Sequence, residues 1–151
     1  MPNKSAKAWV SAQPNVTQAR QPQVAALCLR GTGDDLRVLM ITSRGTGRWI
    51  IPKGWPIPGK TGAQAAMTEA WEEAGVKKAK VNPKPIGSYD YDKITDDGGA
   101  IPVEAQVYVV TVEKLSDDYP EVDERKRKWM RPRRAAKLVD EPKLKNILRN
   151  L

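Results

Sequence analysis

One stretch, Trp49 to Val76 (WIIPKGWPIPGKTGAQAAMTEAWEEAGV), constrains the fold more than any other. It reads as a strand end, a Gly/Pro-rich loop and a short helix. Thr61 and Gln64 have the spacing of a capping box, in which hydroxyl and amide satisfy the free donors of a helix start. Gly75 suits the C′ position, because glycine enters the left-handed conformation at little cost. Between them the helical period predicts two faces: Ala66, Met67, Ala70, Trp71 and Ala74 on one side, and Glu69, Glu72 and Glu73 on the other.

The acidic face requires a reason. Like charges at i, i+3 and i+4 repel by a few tenths of a kcal/mol per pair. Carboxylates in a last helical turn also oppose the macrodipole. A plain solvated face is one reading. The other is a hard-cation site, since clustered carboxylates beside a loop carbonyl suit Mg²⁺ or Mn²⁺. The turn Pro52-Lys53-Gly54 is placed to supply that carbonyl.

These residues resemble the Nudix box, G-x(5)-E-x(7)-R-E-U-x-E-E-x-G-U with U aliphatic. Gly54 matches its first glycine, and Glu69, Glu72, Glu73, Gly75 and Val76 match its second half. Lys60, Thr68 and Ala70 depart from it, standing where the box has Glu, Arg and an aliphatic residue. Thr68 cannot make the bidentate contact by which an arginine holds a carboxylate. Val24 to Trp129 is similar to the branch that acts on diphosphoinositol polyphosphates and diadenosine polyphosphates. The features concerned are AALCLR, the run Ser43-Arg44 to Arg48-Trp49, and Glu124 to Trp129.

The resemblance implies an α+β fold, the Nudix α/β/α sandwich with a mixed sheet between helices. It implies a metal-dependent hydrolase that directs water at a pyrophosphate phosphorus, with Mg²⁺ or Mn²⁺ as cofactor. Glu69, Glu73 and the Lys53 carbonyl would be ligands, and Glu72, with Glu69, would serve in catalysis, Glu72 as general base. A fourth carboxylate would come from Glu121, Asp123 or Glu124. Thr42, Ser43, Arg44, Lys53, Gly54, Lys93 and Arg125 would hold the substrate. Diphosphoinositol or diadenosine polyphosphates are the expected substrates. A nucleotide substrate stays open as well, with Trp55, Tyr89 or Tyr91 stacking a base. A nucleoside-triphosphate or RNA-cap hydrolase on the same fold, and a non-catalytic polyanion or nucleic-acid binder, are the alternatives.

Composition bounds these readings. The 151 residues suffice for one domain with a core. There is no His, so any acid–base work falls to carboxylates, Lys, Tyr or bound water. A single cysteine, Cys28, excludes an internal disulfide framework and fits a reducing cytoplasm. No apolar run is long enough to span a bilayer. The net charge of +8 favours polyanionic partners: a polyphosphorylated small molecule first, with weak nucleic-acid contact through phosphates as a lesser expectation.

Along the chain, residues 1–21 lack periodicity and are expected to form a flexible basic arm, with the domain over 22–151. Gln23–Arg30 and Arg37–Ser43 read as a strand pair around hairpin residues Gly31–Asp35. Arg44–Arg48 is a glycine-bearing loop. Lys60 flanks the acidic helix, either contacting phosphate or neutralising glutamates. Strands are expected within Lys77–Lys84 and over Ile86–Asp92, then a loop over Lys93–Ala100. A central strand follows over Ile101–Val112, and an acidic turn region over Ser116–Glu124. Arg125–Arg134 is densely basic, and two closing helices end in an apolar face of Leu144, Ile147, Leu148 and Leu151.

Overall fold

The structure is a computed structural model and describes residues 19–151. Residues 1–18, and with them most of the expected basic arm and Trp9, lie outside the described residues. The strands are β1 (Gln21–Arg30), β2 (Arg37–Thr42), β3 (Trp49–Ile50), β4 (Lys53–Gly54), β5 (Val76–Val81), β6 (Gly87–Ile94), β7 (Ala100–Leu115) and β8 (Arg127–Met130). The helices are α1 (Gly62–Ala74), α2 (Pro132–Leu138) and α3 (Pro142–Arg149).

All eight strands join one mixed sheet with the central order β3-β2-β1-β7-β5. β1 runs parallel to β7 over nine paired positions, Gln21↔Val103 to Leu29↔Thr111, and every other pairing is antiparallel. The composition of β1 and β2 explains their central place. Both are short runs of Val, Ile, Leu, Ala, Met and Cys without polar alternation, as a strand covered on both faces requires. Val24, Ala26 and Cys28 of β1, with Leu39 and Ile41 of β2, face one core together with α1. The alternate residues Ala25, Leu27, Val38 and Met40 face a second core with α2 and α3. The molecule is therefore an α/β/α sandwich.

The expected elements form, with differences at their edges. β1 starts at Gln21 because its first residues extend the parallel ladder to β7. The β1–β2 pairing holds at Leu29↔Val38 and Arg30↔Arg37, with a short 3-10 turn in the connection. β6 continues through Lys93 and Ile94, which pair with Ile101 and Ala100 and shorten the expected loop. In α3, Leu144 and Leu148 are buried and Ile147 partly so, whereas Leu151, beyond the helix, is exposed.

The buried stripe of α1 differs from the expected one. It runs through Ala63, Ala65, Ala66, Ala70, Glu73 and Ala74, while Trp71 is exposed. The helix is thus turned so that Glu73 faces the sheet and Trp71 faces outward. Small alanines permit this close approach, and polar partners for Glu73, described next, offset part of the cost of burying it.

Candidate active site

The capping box closes the start of α1. Gln64 N donates to Thr61 Oγ1 at 3.1 Å, and Thr61 N donates to Gln64 Oε1 at 2.9 Å. At the other end Gly75 adopts φ 71°, the left-handed C-cap. A side chain there would strike Tyr119, Arg127 and the Ser116 carbonyl, so both backbone and space demand glycine.

Between these caps α1 presents its carboxylates to β4. Lys53 N donates to Glu73 Oε1 at 3.3 Å. Gly54 lies against Glu69, and a Cβ at Gly54 would fall on the Glu69 carboxyl group. The short strand β4 is held in place by pairing with Val24 and Ala25 of β1 and by the Ala26 N to Pro52 O bond at 2.8 Å.

The two glutamates interact strongly. Burial pushes Glu69 up to about 8, and a hydrogen bond to Glu73 and the charges of Glu73, Glu72 and Glu121 add to the rise. Burial also raises Glu73, while Arg125, the hydrogen bond with Glu69 and the Lys53 N–H oppose the rise. Arg125 has a side chain only 8% exposed. Its Nε donates to Glu121 Oε1 at 2.9 Å, Nη1 donates to the Thr42 carbonyl at 3.0 Å, and Nη2 lies 3.8 Å from Glu73 Oε2. Of the three candidates for a fourth carboxylate, Glu121 is the one that adds to the field on Glu69 and Glu73. Glu124 pairs with Arg44 at 3.0 Å, and Asp123 is exposed.

Other candidate residues divide by position. Lys53 Nζ lies 4.9 Å from the centre of the Tyr91 ring, and desolvation lowers its ammonium to about 8. Arg44 is exposed and reaches across to Glu124. Thr42 is buried; its backbone N donates to the Lys126 carbonyl at 3.0 Å, and its hydroxyl accepts from Lys126 N at 2.9 Å. Ser43 staples its own turn, bonding Thr46 Oγ1 at 2.8 Å and accepting from Arg48 N at 3.1 Å. Lys93 is exposed and shares its strand face with Tyr91 and Tyr89. Glu72 is half-buried, and its carbonyl accepts from Glu121 N at 3.0 Å. Lys60 and Thr68 line an open groove with Gln64, Met67 and Trp71. Thr68 Oγ1 turns back to the Gln64 carbonyl at 3.2 Å.

Tyr89 is 1% exposed and sits in the second core, so it has no ring face to offer a base. Tyr91 is partly open and bonds through its hydroxyl to Gln23. Trp55 is 40% exposed. Sequence reasoning missed the ion pair of Arg48 with Glu141, 3.1 Å apart across almost the whole domain. No local pattern links those two positions. The field of both reaches Lys53 and Tyr91.

Among the described residues, no three Cys, Asp or Glu side chains meet in ready ligating geometry. The donor set present is a pair of hydrogen-bonded glutamates beside a glycine that leaves room for the Glu69 carboxyl group. That set fits a hard cation that is held by one or two carboxylates and completes its shell with water and substrate phosphate.

Fold and site together define a class: a mixed-sheet α+β domain in which an acidic helix faces a Lys-Gly strand turn. A family model described as the NUDIX domain matches residues 19–151, and the chain belongs to the Nudix family. It is 31% identical over 134 residues to diphosphoinositol polyphosphate phosphohydrolase 3-alpha from Homo sapiens, covering 84% of this chain and 77% of the relative. The same figures hold for diphosphoinositol polyphosphate phosphohydrolase 3-beta from Bos taurus. Among solved structures, the C. elegans Ap4A hydrolase superposes with a TM-score of 0.63 at 20% identity, over 87% of this chain and 95% of that one. The E. coli dihydroneopterin triphosphate pyrophosphohydrolase superposes with a TM-score of 0.61 at 16% identity, over 89% and 97% of the two chains. Membership and these relatives make the chain a pyrophosphohydrolase. No helix among the described residues is long and apolar enough to cross a membrane.

Proposed function

We propose that this enzyme hydrolyses a phosphoanhydride bond in a highly phosphorylated small molecule, a diphosphoinositol or diadenosine polyphosphate, with Mg²⁺ or Mn²⁺ bound at Glu69 and Glu73. The observation that carries the proposal is the coupled Glu69–Glu73 pair packed against Lys53 and Gly54. Burial raises both carboxyl groups, and Glu73 raises Glu69 further, so ionising the pair costs stability unless a cation neutralises it. When bound, the cation would neutralise phosphate oxygens and make the attacking water easier to deprotonate.

The chain's own residues supply the rest. Glu73 is fixed by the Lys53 N–H. Glu72, half-buried one turn beyond Glu69, would take a proton from the attacking water. The Lys53 carbonyl would complete the protein donors, and Gly54 leaves room for the Glu69 carboxyl group. Lys53 Nζ and Arg44 would bind phosphate as charges, with Lys93 on the same strand face as Tyr91. The basic balance of the chain raises the local concentration of such a polyanion. A reducing cytoplasm suits the buried thiol of Cys28.

The test is product release with Mg²⁺ or Mn²⁺ across nucleoside, dinucleoside and inositol pyrophosphates, wild type beside Glu73→Gln. The expected result is turnover of one class, reduced by roughly 10²-fold or more in the variant. Turnover unchanged in Glu73→Gln would overturn the assignment of the site.

A further inference from the structure

The resemblance would have Arg125 grip a substrate phosphate, yet its guanidinium is already engaged on three sides. Glu121 takes Nε, the Thr42 carbonyl takes Nη1, and Glu73 faces Nη2. With a side chain 8% exposed, it offers little surface to a ligand. Its three partners come from three places: the acidic turn, the end of β2 and the last turn of α1.

The neighbouring contacts point the same way. Glu121 N bonds the Glu72 carbonyl, Ser116 N bonds the Gly75 carbonyl at 2.8 Å, and Arg127 Nη1 bonds the Ala74 carbonyl at 2.8 Å. Arg127 also stacks over Tyr119 at 4.8 Å and pairs with Asp117 at 2.9 Å. The Ser116–Arg127 segment is thus a strap across the C-terminal end of the acidic helix. Within α1 there is no basic residue in the last turn, and Thr68 turns away from Glu73 to its own helix backbone. The cations that face this end of the helix arrive from the strap.

We infer that Arg125 is a positioning residue, a fork that holds Glu73 in register with Glu121 and the end of β2, and not a ligand of the substrate's phosphates. A planar fork with several fixed donors suits this task, whereas an ammonium is a single point charge. The inference rests on the metal-assisted hydrolysis proposed above, because it concerns how Glu73 is held for that reaction.

The experiment compares wild type, Arg125→Lys and Arg125→Met in steady-state kinetics on the substrate class that wild type turns over, with thermal melts in parallel. A positioning fork predicts that kcat falls by about 10-fold or more in both variants while KM stays within about twofold. Lysine does not rescue, because it cannot span three partners. A phosphate ligand predicts the opposite split: KM rises in Arg125→Met, Arg125→Lys retains most of the activity, and the inference is overturned. If the variants do not fold, the wild-type Arg125 Nε–H resonance serves instead, followed by NMR with Mg²⁺ held constant while imidodiphosphate is added. An unmoved resonance supports the fork, and one that titrates with imidodiphosphate overturns it. Failure of wild type itself to hydrolyse any member of the panel would count against the proposed function and is read separately from the variants.

Discussion

Gly54 shows how much of the chemistry depends on single atoms. A methyl group there would overlap the Glu69 carboxyl. That carboxyl is the far end of a flexible side chain, so Gly54→Ala should fold and melt close to wild type while Glu69 moves aside. The expected loss in kcat is on the order of 10²-fold, as for an ångström-scale misplacement of a reacting group. Kinetics and a melting curve measured on the same preparation check this, and a normal kcat would refute the close packing of Gly54 on Glu69. Gly54 and the three glutamates were legible because they lie within one short stretch whose spacing carries the information. The partners of Glu73 were not. Arg125 is some fifty positions away in a run of six cations or acids that look alike in sequence. Which of Arg125, Lys126, Arg127 and Lys128 turns inward depends on where that run leaves the acidic turn and enters β8. Only tertiary contact decides that.

At the scale of elements, α1 is a helix whose two ends are specified by different means. Its start is local: Thr61 and Gln64 satisfy each other's backbone donors, and the capping box could be read directly from the sequence. Its end is shared with the strap, which supplies Arg127 to the Ala74 carbonyl and packs Tyr119 against Gly75. The two ends therefore predict unequal substitutions. Thr61→Ala should cost about 1 kcal/mol, the usual worth of an N-cap. Gly75→Ala should cost more, because it adds a left-handed strain of roughly 1 kcal/mol to a collision with Tyr119, Arg127 and the Ser116 backbone. Chemical denaturation of both variants checks the order, and equal losses would show that the strap yields freely. The same distinction explains the rotation of α1. Periodicity alone places Trp71 inward with Ala70 and Ala74, since it weighs hydrophobicity and not the polar partners that draw Glu73 in. Strands β1 and β2 were legible for the opposite reason, because their short apolar runs admit a buried place and little else, and β7 because Val103, Ala105, Val107 and Val109 recur at every second position.

At the scale of the molecule, a folded chain keeps two carboxyl groups together at a cost that the cation is expected to remove. Glu69 is raised to about 8 by burial and by Glu73, against an ordinary value of 4.5. The folded state therefore binds more protons than the unfolded state between those values. Where that holds, stability falls as pH rises, and above about pH 8 the whole penalty is present. Below the ordinary value both states are protonated and the pair costs nothing. A divalent cation binds the ionised pair and so stabilises the fold through mass action. Protons compete with it at low pH. The rise in melting temperature on adding saturating Mg²⁺ should then be larger at about pH 8.5 than at about pH 5.5, where bound protons oppose the metal. Groups remote from the site contribute to the curves with and without Mg²⁺ alike and drop out of the difference, whereas Lys53, lowered to about 8 and within the field of Glu73, loses its charge over the same range and adds to it in the same direction. Glu69→Gln removes the charge that the cation balances and should flatten the dependence. Equal Mg²⁺ effects at both pH values, or a full pH dependence retained in Glu69→Gln, would place the cation somewhere other than this pair.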